Sequence, residues 1–486
     1  MQLFELIKDM PYLVETQGDM TAEIQSVTNN SREKVSGGLF FCIPGARFDA
    51  HDFAPQAIEN GCVALVVERF LPLDVPQVKV NNSRGAMARI AAAFYGHPAK
   101  GMKLVGITGT KGKTTTSYMT KAIIEQAGLK CGLIGTTGNM IGDKRMPGSL
   151  TTPDPIDLQR DLRLMADEGV QVVVMEVSAH AIDMFRLDGL TFEAACYTNF
   201  SQDHLDYFHT MEQYFLTKKK FFTDGMVLSA AMNADEETTP RLCEDVKVPH
   251  FTYGICVNAD LFARDIEISE DGMNFEMTLH DRYSVKINLR MPGMFNIYNA
   301  MAAASCAIML GLGAEDIRLG LESMTGVPGR IEMLPTGTPY RVILDYAHSP
   351  DSLQSILKAV REFTRGRPIA VFGCGGDRDK GKRAIMGEIG GEMADLCILT
   401  SDNPRNEDPM VILAAVEEGI KVTGKPYEVI ENRREAIRHA MEIAQEGDII
   451  VLAGKGHETY QEICGVKHPF DEKVVVQELL AELRQN

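Results

Sequence analysis

Between residues 106 and 116 the chain reads GITGTKGKTTT, a strand-like run giving way to glycines, lysines and threonines. Glycines let backbone N–H groups converge on phosphate oxygens, and the positive end of a following helix adds to their pull. In such a cradle Lys113 would reach the β- and γ-phosphates, and the Thr114 hydroxyl would sit on Mg²⁺. The strict pattern G-x-x-x-x-G-K-[ST] is not met, because five residues separate Gly106 from Gly112 and only two separate Gly109 from Gly112. Gly109, Thr110, Lys111, Gly112, Lys113, Thr114 and Thr115 therefore read as a variant phosphate loop for ATP or GTP.

A loop of this kind needs a strand before it and a helix after it. The apolar run LVGIT and the stretch TTTSYMTKAIIEQAG supply them, and CGLIGT, VQVVVMEVS and AACYTNF read as further strands. Strands alternating with helices predict a parallel, doubly wound sheet. Upstream, Leu39 to Glu68 reads strand, Gly/Pro turn, helix, strand, and a helix over Ala86 to Tyr95 follows. Downstream, Ala259 to Met291 alternates as antiparallel strands would, and Met301 to Ala314 reads as a buried helix. The α/β pattern then restarts at VILDY, IAVFG, LCILT and DIIVLAG. Breakers at Gly96 to Gly101 and Gly326 to Arg330 divide the chain into three α/β domains: 1–98, small; 99–331, central and doubly wound; and 332–486, Rossmann-like.

A length of 486 residues accommodates three cores. Net charge of −18 argues against a nucleic-acid partner, which would need clustered lysine and arginine. No apolar run approaches the roughly 20 residues of a membrane span. The start MQLFELIKDM carries charge throughout, and the 10 cysteines form no C-x-x-C pair, so a reducing cytoplasm and small-molecule partners are expected.

The runs TGTKGKTTT, MEVSAH, TNFSQDHLDYF, GMFNIYNA, GVPGRIE and DYAHSP, in this order, resemble the Mur ligases. Within that family GCGGDRDKGKR, DNPRNEDP and AGKGHE resemble the branch that adds meso-diaminopimelate to UDP-N-acetylmuramoyl-L-alanyl-D-glutamate; the alternative is a relative adding L-lysine. The resemblance implies a monomer that spends ATP to phosphorylate the D-Glu γ-carboxylate, after which the incoming amine attacks the acyl phosphate, two Mg²⁺ ions neutralising the moving charge. It implies a UDP-binding N-terminal domain, a central ATPase and a C-terminal amino-acid domain.

The same resemblance assigns residues. Thr114, Glu176 and His204 would serve the metal, with Lys113 on the phosphates. In YFLTKKKFF, Lys218 shares an i, i+4 row with Tyr214 and Phe222, but helical phase alone leaves Lys218, Lys219 and Lys220 open; the family pattern selects Lys218. A desolvated, neutral lysine can take up CO₂ as a carbamate able to hold Mg²⁺. Asn296, Asn299, Arg330, Asp345 and His348 would contact the nucleotide, and Ser31, Arg32, Ala46, Arg47, Phe48, Thr151, Thr152, Ser178 and Arg186 the UDP-sugar peptide. For meso-diaminopimelate, whose extra carboxylate distinguishes it from lysine, the resemblance points to Arg405 as bidentate partner, with Arg378, Asp402, Asn403, Pro404, Gly454 and Glu458 around it. Four positions depart from the family: Lys111 where Asn is usual, Ala179 for Ser, Met184 for Gln, and Thr217 for the Ala before Lys218.

Overall fold

The computed structural model describes residues 1–45, 48–146, 148, 150–256, 258–269, 272–280 and 282–484. Two compact units emerge. The first is Met1–Ala263 with Met277–Val285 and Tyr298–Leu321, and the second is Glu322–Asn486 with Arg264–Glu276 and Lys286–Ile297.

The first unit contains two sheets. The N-terminal one runs in the order Leu13–Gln17, Gln77–Val80, Cys62–Val67, Gly38–Phe41, Ser26–Thr28, with only the first pair antiparallel. Its helix Ser83–Phe94 starts at Asn82, whose side chain accepts from the N–H groups of Arg84 and Gly85. The helix expected from Ala86 thus begins earlier, because its cap precedes the first apolar residue.

The central sheet places six parallel strands in the order His250–Gly254, Ala230–Asn233, Ala194–Tyr197, Lys103–Thr108, Val172–Glu176, Cys131–Ile134. These strands read as nearly unbroken apolar runs because helices cover both faces of such a sheet. The chain winds to one side of Lys103–Thr108 and then to the other, so the carboxyl end of that strand is the point where strand order reverses. Doubly wound sheets bind ligands in the crevice such a reversal leaves.

Two expectations are corrected. The helix foreseen over Met301 to Ala314 runs Met294–Met309 and stops before Gly311, whose φ of 83° ends a helix without strain. Ala259 to Met291 does form strands, at Leu261–Ser269, Gly272–Leu279 and Tyr283–Leu289, but the first opens in parallel register, Tyr253 against Leu261. Alternation reports which face is buried; strand direction follows from the sheet edge that is joined.

In the second unit the sheet order is Glu332–Leu334, Arg341–Asp345, Ile449–Ala453, Pro368–Phe372, Leu396–Leu399, Tyr427–Val429, and only the first pair is antiparallel. Leu353, Met386 and Ile412 bring three helices onto one face, and Ile437 and Leu479 bring two onto the other. A hairpin, Tyr460–Ile463 with Val466–Pro469, stands apart from this sheet. Among the described residues no helix is long and apolar enough to cross a membrane.

Candidate active site

Strand Lys103–Thr108 delivers the chain into the loop, and helix Lys113–Gln126 takes it away from Gly112. Gly109 has a φ of 151°, and a Cβ there would lie 1.9 Å from Thr198 Oγ1, so the position admits only glycine. The loop is held from the neighbouring strand end. Asn199 Oδ1 accepts from Lys111 N at 2.8 Å, while Asn199 Nδ2 and Thr198 Oγ1 donate to Lys111 O at 3.0 and 2.8 Å. Lys111 is thus fixed through its main chain. Lys113 Nζ folds back onto the carbonyls of Gly109 and Thr110, at 2.9 and 3.0 Å.

Glu176 ends its strand beside the loop and is 1% exposed. Its Oε2 accepts from the hydroxyls of Thr114 and Thr136, each at 3.0 Å, and its Oε1 accepts from Thr136 N at 2.9 Å. A hydroxyl beside a carboxylate suits a small hard cation that completes its shell with water and phosphate oxygens. Among the described residues no three His, Cys, Asp or Glu side chains gather into a metal cage, so any cation there relies on such a sparse set.

Of three consecutive lysines, Lys218 is buried, Lys219 pairs with Asp245, and Lys220 is exposed. Lys218 Nζ lies 4.7 Å above the Tyr214 ring and donates to Gly109 O at 2.8 Å. Burial drives its ammonium well below the ordinary lysine value, and nearby Lys113 pushes the same way. His204 takes the left-handed conformation, φ 54°, and packs edge-on against His180 at 4.8 Å. Burial lowers the pKa of both rings, and Lys113 and Lys218 add to the effect at His204, which favours neutral imidazole, the form that can ligate a metal.

Next to Glu176, Thr152 Oγ1 donates to Glu176 O at 2.7 Å and accepts from Ser178 N at 3.1 Å, while Thr151 Oγ1 contacts Thr136 Oγ1 at 3.0 Å. Arg186 Nη1 donates to Thr152 O at 2.7 Å, its Nε lies 2.9 Å from Asp154, and its Nη2 reaches Met184 Sδ at 3.7 Å. The Met184 departure thus contributes a weak acceptor. Ser178 caps helix Ala179–Asp183 by accepting from Ala181 N at 3.2 Å. Ser178→Ala is therefore expected to lower stability by about 1 kcal/mol, read as a reduced denaturant midpoint at unchanged slope; an unchanged midpoint would show that the cap contributes nothing.

The remaining UDP-substrate candidates lie in the N-terminal sheet region. Ser31 Oγ donates to Gln56 Oε1 at 3.0 Å, Arg32 N to Asn30 Oδ1 at 3.1 Å, and Phe48 is 72% exposed. Ala46 and Arg47 lie outside the described residues.

The nucleotide candidates divide between the units. Asn299, in the first, accepts from Thr116 Oγ1 at 3.3 Å, and its Oδ1 lies 2.5 Å from where a Cβ on Gly112 would sit. In the second, buried Asn296 donates to Pro292 O, and Arg330 lies 5.3 Å over the Tyr346 ring. Asp345 accepts from Ile331 N and Ala347 N at 2.9 and 2.8 Å; burial raises its pKa. His348 Nδ1 sits 2.8 Å from Tyr346 O, and burial lowers its pKa.

The acceptor candidates meet at the carboxyl edge of the second unit's sheet. Arg405 is left-handed, φ 52°, a strained choice for a side chain of that size. The hairpin holds it there: Arg405 N donates to Glu462 O at 3.0 Å and Cys464 N to Arg405 O at 2.7 Å. Its side chain places Nε 3.2 Å from Glu462 Oε2 and Nη1 2.8 Å from Gly376 O, leaving Nη2 without a partner among the described residues. A Cβ built on Gly375 would lie 2.9 Å from Arg405 Nη1 and 3.8 Å from Arg378 Cγ, so both arginines border that glycine; Arg378 is exposed. Asn403 Nδ2 donates to Glu458 Oε2 at 2.9 Å, and a Cβ on Gly454 would meet Asp402 Oδ2 at 2.3 Å. A Cβ on Gly376 would lie 1.9 Å from Pro404 O, so Pro404 is packed tightly against that backbone.

Thr136, Thr198, Asn199, His180 and Glu462 were not singled out from the sequence. Thr136, Thr198 and Asn199 lie within two residues of the ends of apolar strands, the edge where such sheets bind ligands, and that position was the available signal; His180, inside the short helix that follows Glu176, and Glu462 carried none.

Three family models match consecutive stretches: "Mur ligase family, catalytic domain" over residues 23–95, "Mur ligase middle domain" over 107–307, and "Mur ligase, glutamate ligase domain" over 329–456. A protein of Caldanaerobacter subterraneus subsp. tengcongensis named UDP-N-acetylmuramoyl-L-alanyl-D-glutamate--2,6-diaminopimelate ligase is 46% identical over 484 residues, covering 99% of each chain. One of the same name from Geobacillus thermodenitrificans is 42% identical and covered in full by a match spanning all of this chain. A solved structure titled with that name aligns over 100% of both chains at 31% identity with a TM-score of 0.73.

Proposed function

The chain belongs to the Mur ligase family, and from that premise we propose how its residues divide the work of making one amide bond. The activity is ATP-dependent addition of meso-2,6-diaminopimelate to the D-Glu γ-carboxylate of UDP-N-acetylmuramoyl-L-alanyl-D-glutamate, a step in peptidoglycan precursor synthesis.

The observation that carries the division is the gathering of Lys113, Thr114, Glu176 and Lys218 where strand order reverses. The backbone of Gly109 to Thr115 and the Lys113 ammonium hold the β- and γ-phosphates of ATP and neutralise charge as the γ-phosphoryl group moves to the substrate carboxylate. Thr114, Glu176, carbamylated Lys218 and His204 are the groups that would hold two Mg²⁺ ions, which supply further charge neutralisation when bound. Asn296, Asn299, Arg330, Asp345 and His348 hold base and ribose. Ser31, Arg32, Ala46, Arg47, Phe48, Thr151, Thr152, Ser178 and Arg186 seat the UDP-sugar peptide, and Arg186 suits its carboxylate. Arg405, Arg378, Asp402, Asn403, Pro404, Gly454 and Glu458 present the acceptor, whose amine attacks the acyl phosphate and expels phosphate. The domains accordingly run 1–98 for the UDP-substrate, 99–331 for ATP and 332–486 for the amino acid. Ten unpaired thiols suit a cytoplasmic enzyme.

The test is an amide-forming assay with ATP, the UDP-muramoyl dipeptide and either acceptor. The expected outcome is ADP, phosphate and tripeptide in equal amounts with meso-diaminopimelate, and far slower product formation with L-lysine. Equal use of both would overturn the acceptor assignment; ATP turnover without any amide would overturn the ligase.

A further inference from the structure

Two buried cations of the second unit have no part in the chemistry above. Arg433 opens helix Arg433–Ile443 and Glu472 opens helix Glu472–Leu483; their side chains are fully buried and meet at 2.7 Å. The guanidinium donates Nη2 to Ala453 O at 2.9 Å and directs Nη1 to Ser401 O at 3.4 Å. Those carbonyls immediately precede Gly454 and Asp402, the first residues of the two acceptor loops. The parent strands Ile449–Ala453 and Leu396–Leu399 are not neighbours, because Pro368–Phe372 runs between them. No ladder bond therefore sets one loop against the other. Lys455, also fully buried, joins the same loops a second time: its Nζ donates to Asn403 Oδ1 at 3.1 Å and to Glu458 Oε2 at 3.2 Å.

A buried Arg–Glu pair is a poor device for stability, since desolvation cancels most of the attraction and well-packed apolar side chains often serve as well. What apolar side chains cannot do is donate to two carbonyls at a set spacing. The planar guanidinium does so while its remaining edge holds a carboxylate.

We propose that Arg433, oriented by Glu472, and Lys455 are positioning residues that set the gap between the 402–405 and 454–458 loops and thereby the fit of the acceptor amino acid. The inference rests on the acceptor occupying those loops.

The full-length chain is assayed as Lys455→Gln, Arg433→Lys and the apolar double variant Arg433→Leu/Glu472→Leu, with Arg405→Ala alongside. Thermal unfolding and KM for each of the three substrates are measured. Loss of an outer-shell partner that orients a ligand-holding group typically costs about 10- to 100-fold in affinity or activity, and the expected result is a rise of that size in KM for meso-diaminopimelate in Lys455→Gln and the double variant. Arg433→Lys should recover part of the loss, and KM for ATP and the UDP-dipeptide should stay within about twofold. A KM for meso-diaminopimelate unchanged in folded variants, with Arg405→Ala raised, would overturn the positioning role alone. If Arg405→Ala is unchanged as well, the acceptor site lies elsewhere and both readings fall. Should the double variant not fold, Lys455→Gln and Arg433→Lys decide the matter by the same criteria.

Discussion

Amide formation by Lys218→Ala is expected to fall by about three orders of magnitude, roughly 4 kcal/mol of transition-state stabilisation, and added acetate is expected to restore part of it. As a bare amine, Lys218 Nζ donates to Gly109 O at 2.8 Å from a fully buried position close to Lys113. A neutral amine there supplies no negative charge to the metal that Glu176 and Thr114 are suited to hold. Capture of CO₂ forms an N–C bond and releases a proton to solvent, turning that point into an anion. The alanine variant loses the anion and leaves a space that a two-carbon carboxylate can enter. Lys218→Arg, which cannot be carbamylated, should be as inactive as Lys218→Ala and should not respond to acetate. The readouts are initial rates of phosphate and tripeptide release, with thermal unfolding to show that the variants are folded. A folded alanine variant that retains its rate, or that ignores acetate, would mean that Lys218 serves only to hold the Gly109 carbonyl.

Arg405→Ala is expected to lower kcat/KM for meso-diaminopimelate by about 2–4 kcal/mol, roughly 30- to 1000-fold, the cost of removing one partner from a desolvated charge pair. The slow reaction with L-lysine should change little, because lysine offers no second carboxylate for the guanidinium. Discrimination between the two acceptors would then collapse. Competition assays measure that ratio directly. The strained backbone at Arg405, fixed by the hairpin from Glu462 to Cys464, aims the fork, and Nη2, which has no partner among the described residues, is what a carboxylate would take. An equal fall with both acceptors would show instead that Arg405 holds the loop in shape without reading the ligand.

How far the site was legible depended on whether its cause was local. The phosphate loop announced itself because glycine, lysine and threonine at a strand-to-helix turn have few other uses, and Glu176 was visible as a carboxylate closing an apolar strand. Lys218 needed more: its row with Tyr214 and Phe222 was consistent with burial, yet Lys219 and Lys220 could be separated from it only by packing, which sends Lys219 to Asp245 and Lys220 to solvent. Thr198 and Asn199 hold the loop across some 90 residues of sequence, and Glu462 reaches Arg405 across 57, through a pairing that no local pattern encodes. The α/β character was equally plain, since apolar strands and amphipathic helices alternate. Strand direction at Leu261 and the start of the helix at Met294 were not: alternation shows which face of a strand is buried but not which sheet edge it joins, and the helix begins seven residues ahead of Met301, where the small-residue run starts.

The central position of Lys103–Thr108 also bears on how the chain is made. Its two partners, Val172–Glu176 and Ala194–Tyr197, come later in the chain, so the strand that carries the phosphate loop leaves the ribosome well before either can pair with it. At roughly 5–20 residues per second that interval lasts some seconds. Parallel pairing over such separations is slow and leaves apolar edges open to other chains meanwhile. Refolding yield should therefore fall with protein concentration, and translation stalled between residues 110 and 170 should be the most aggregation-prone stage of synthesis.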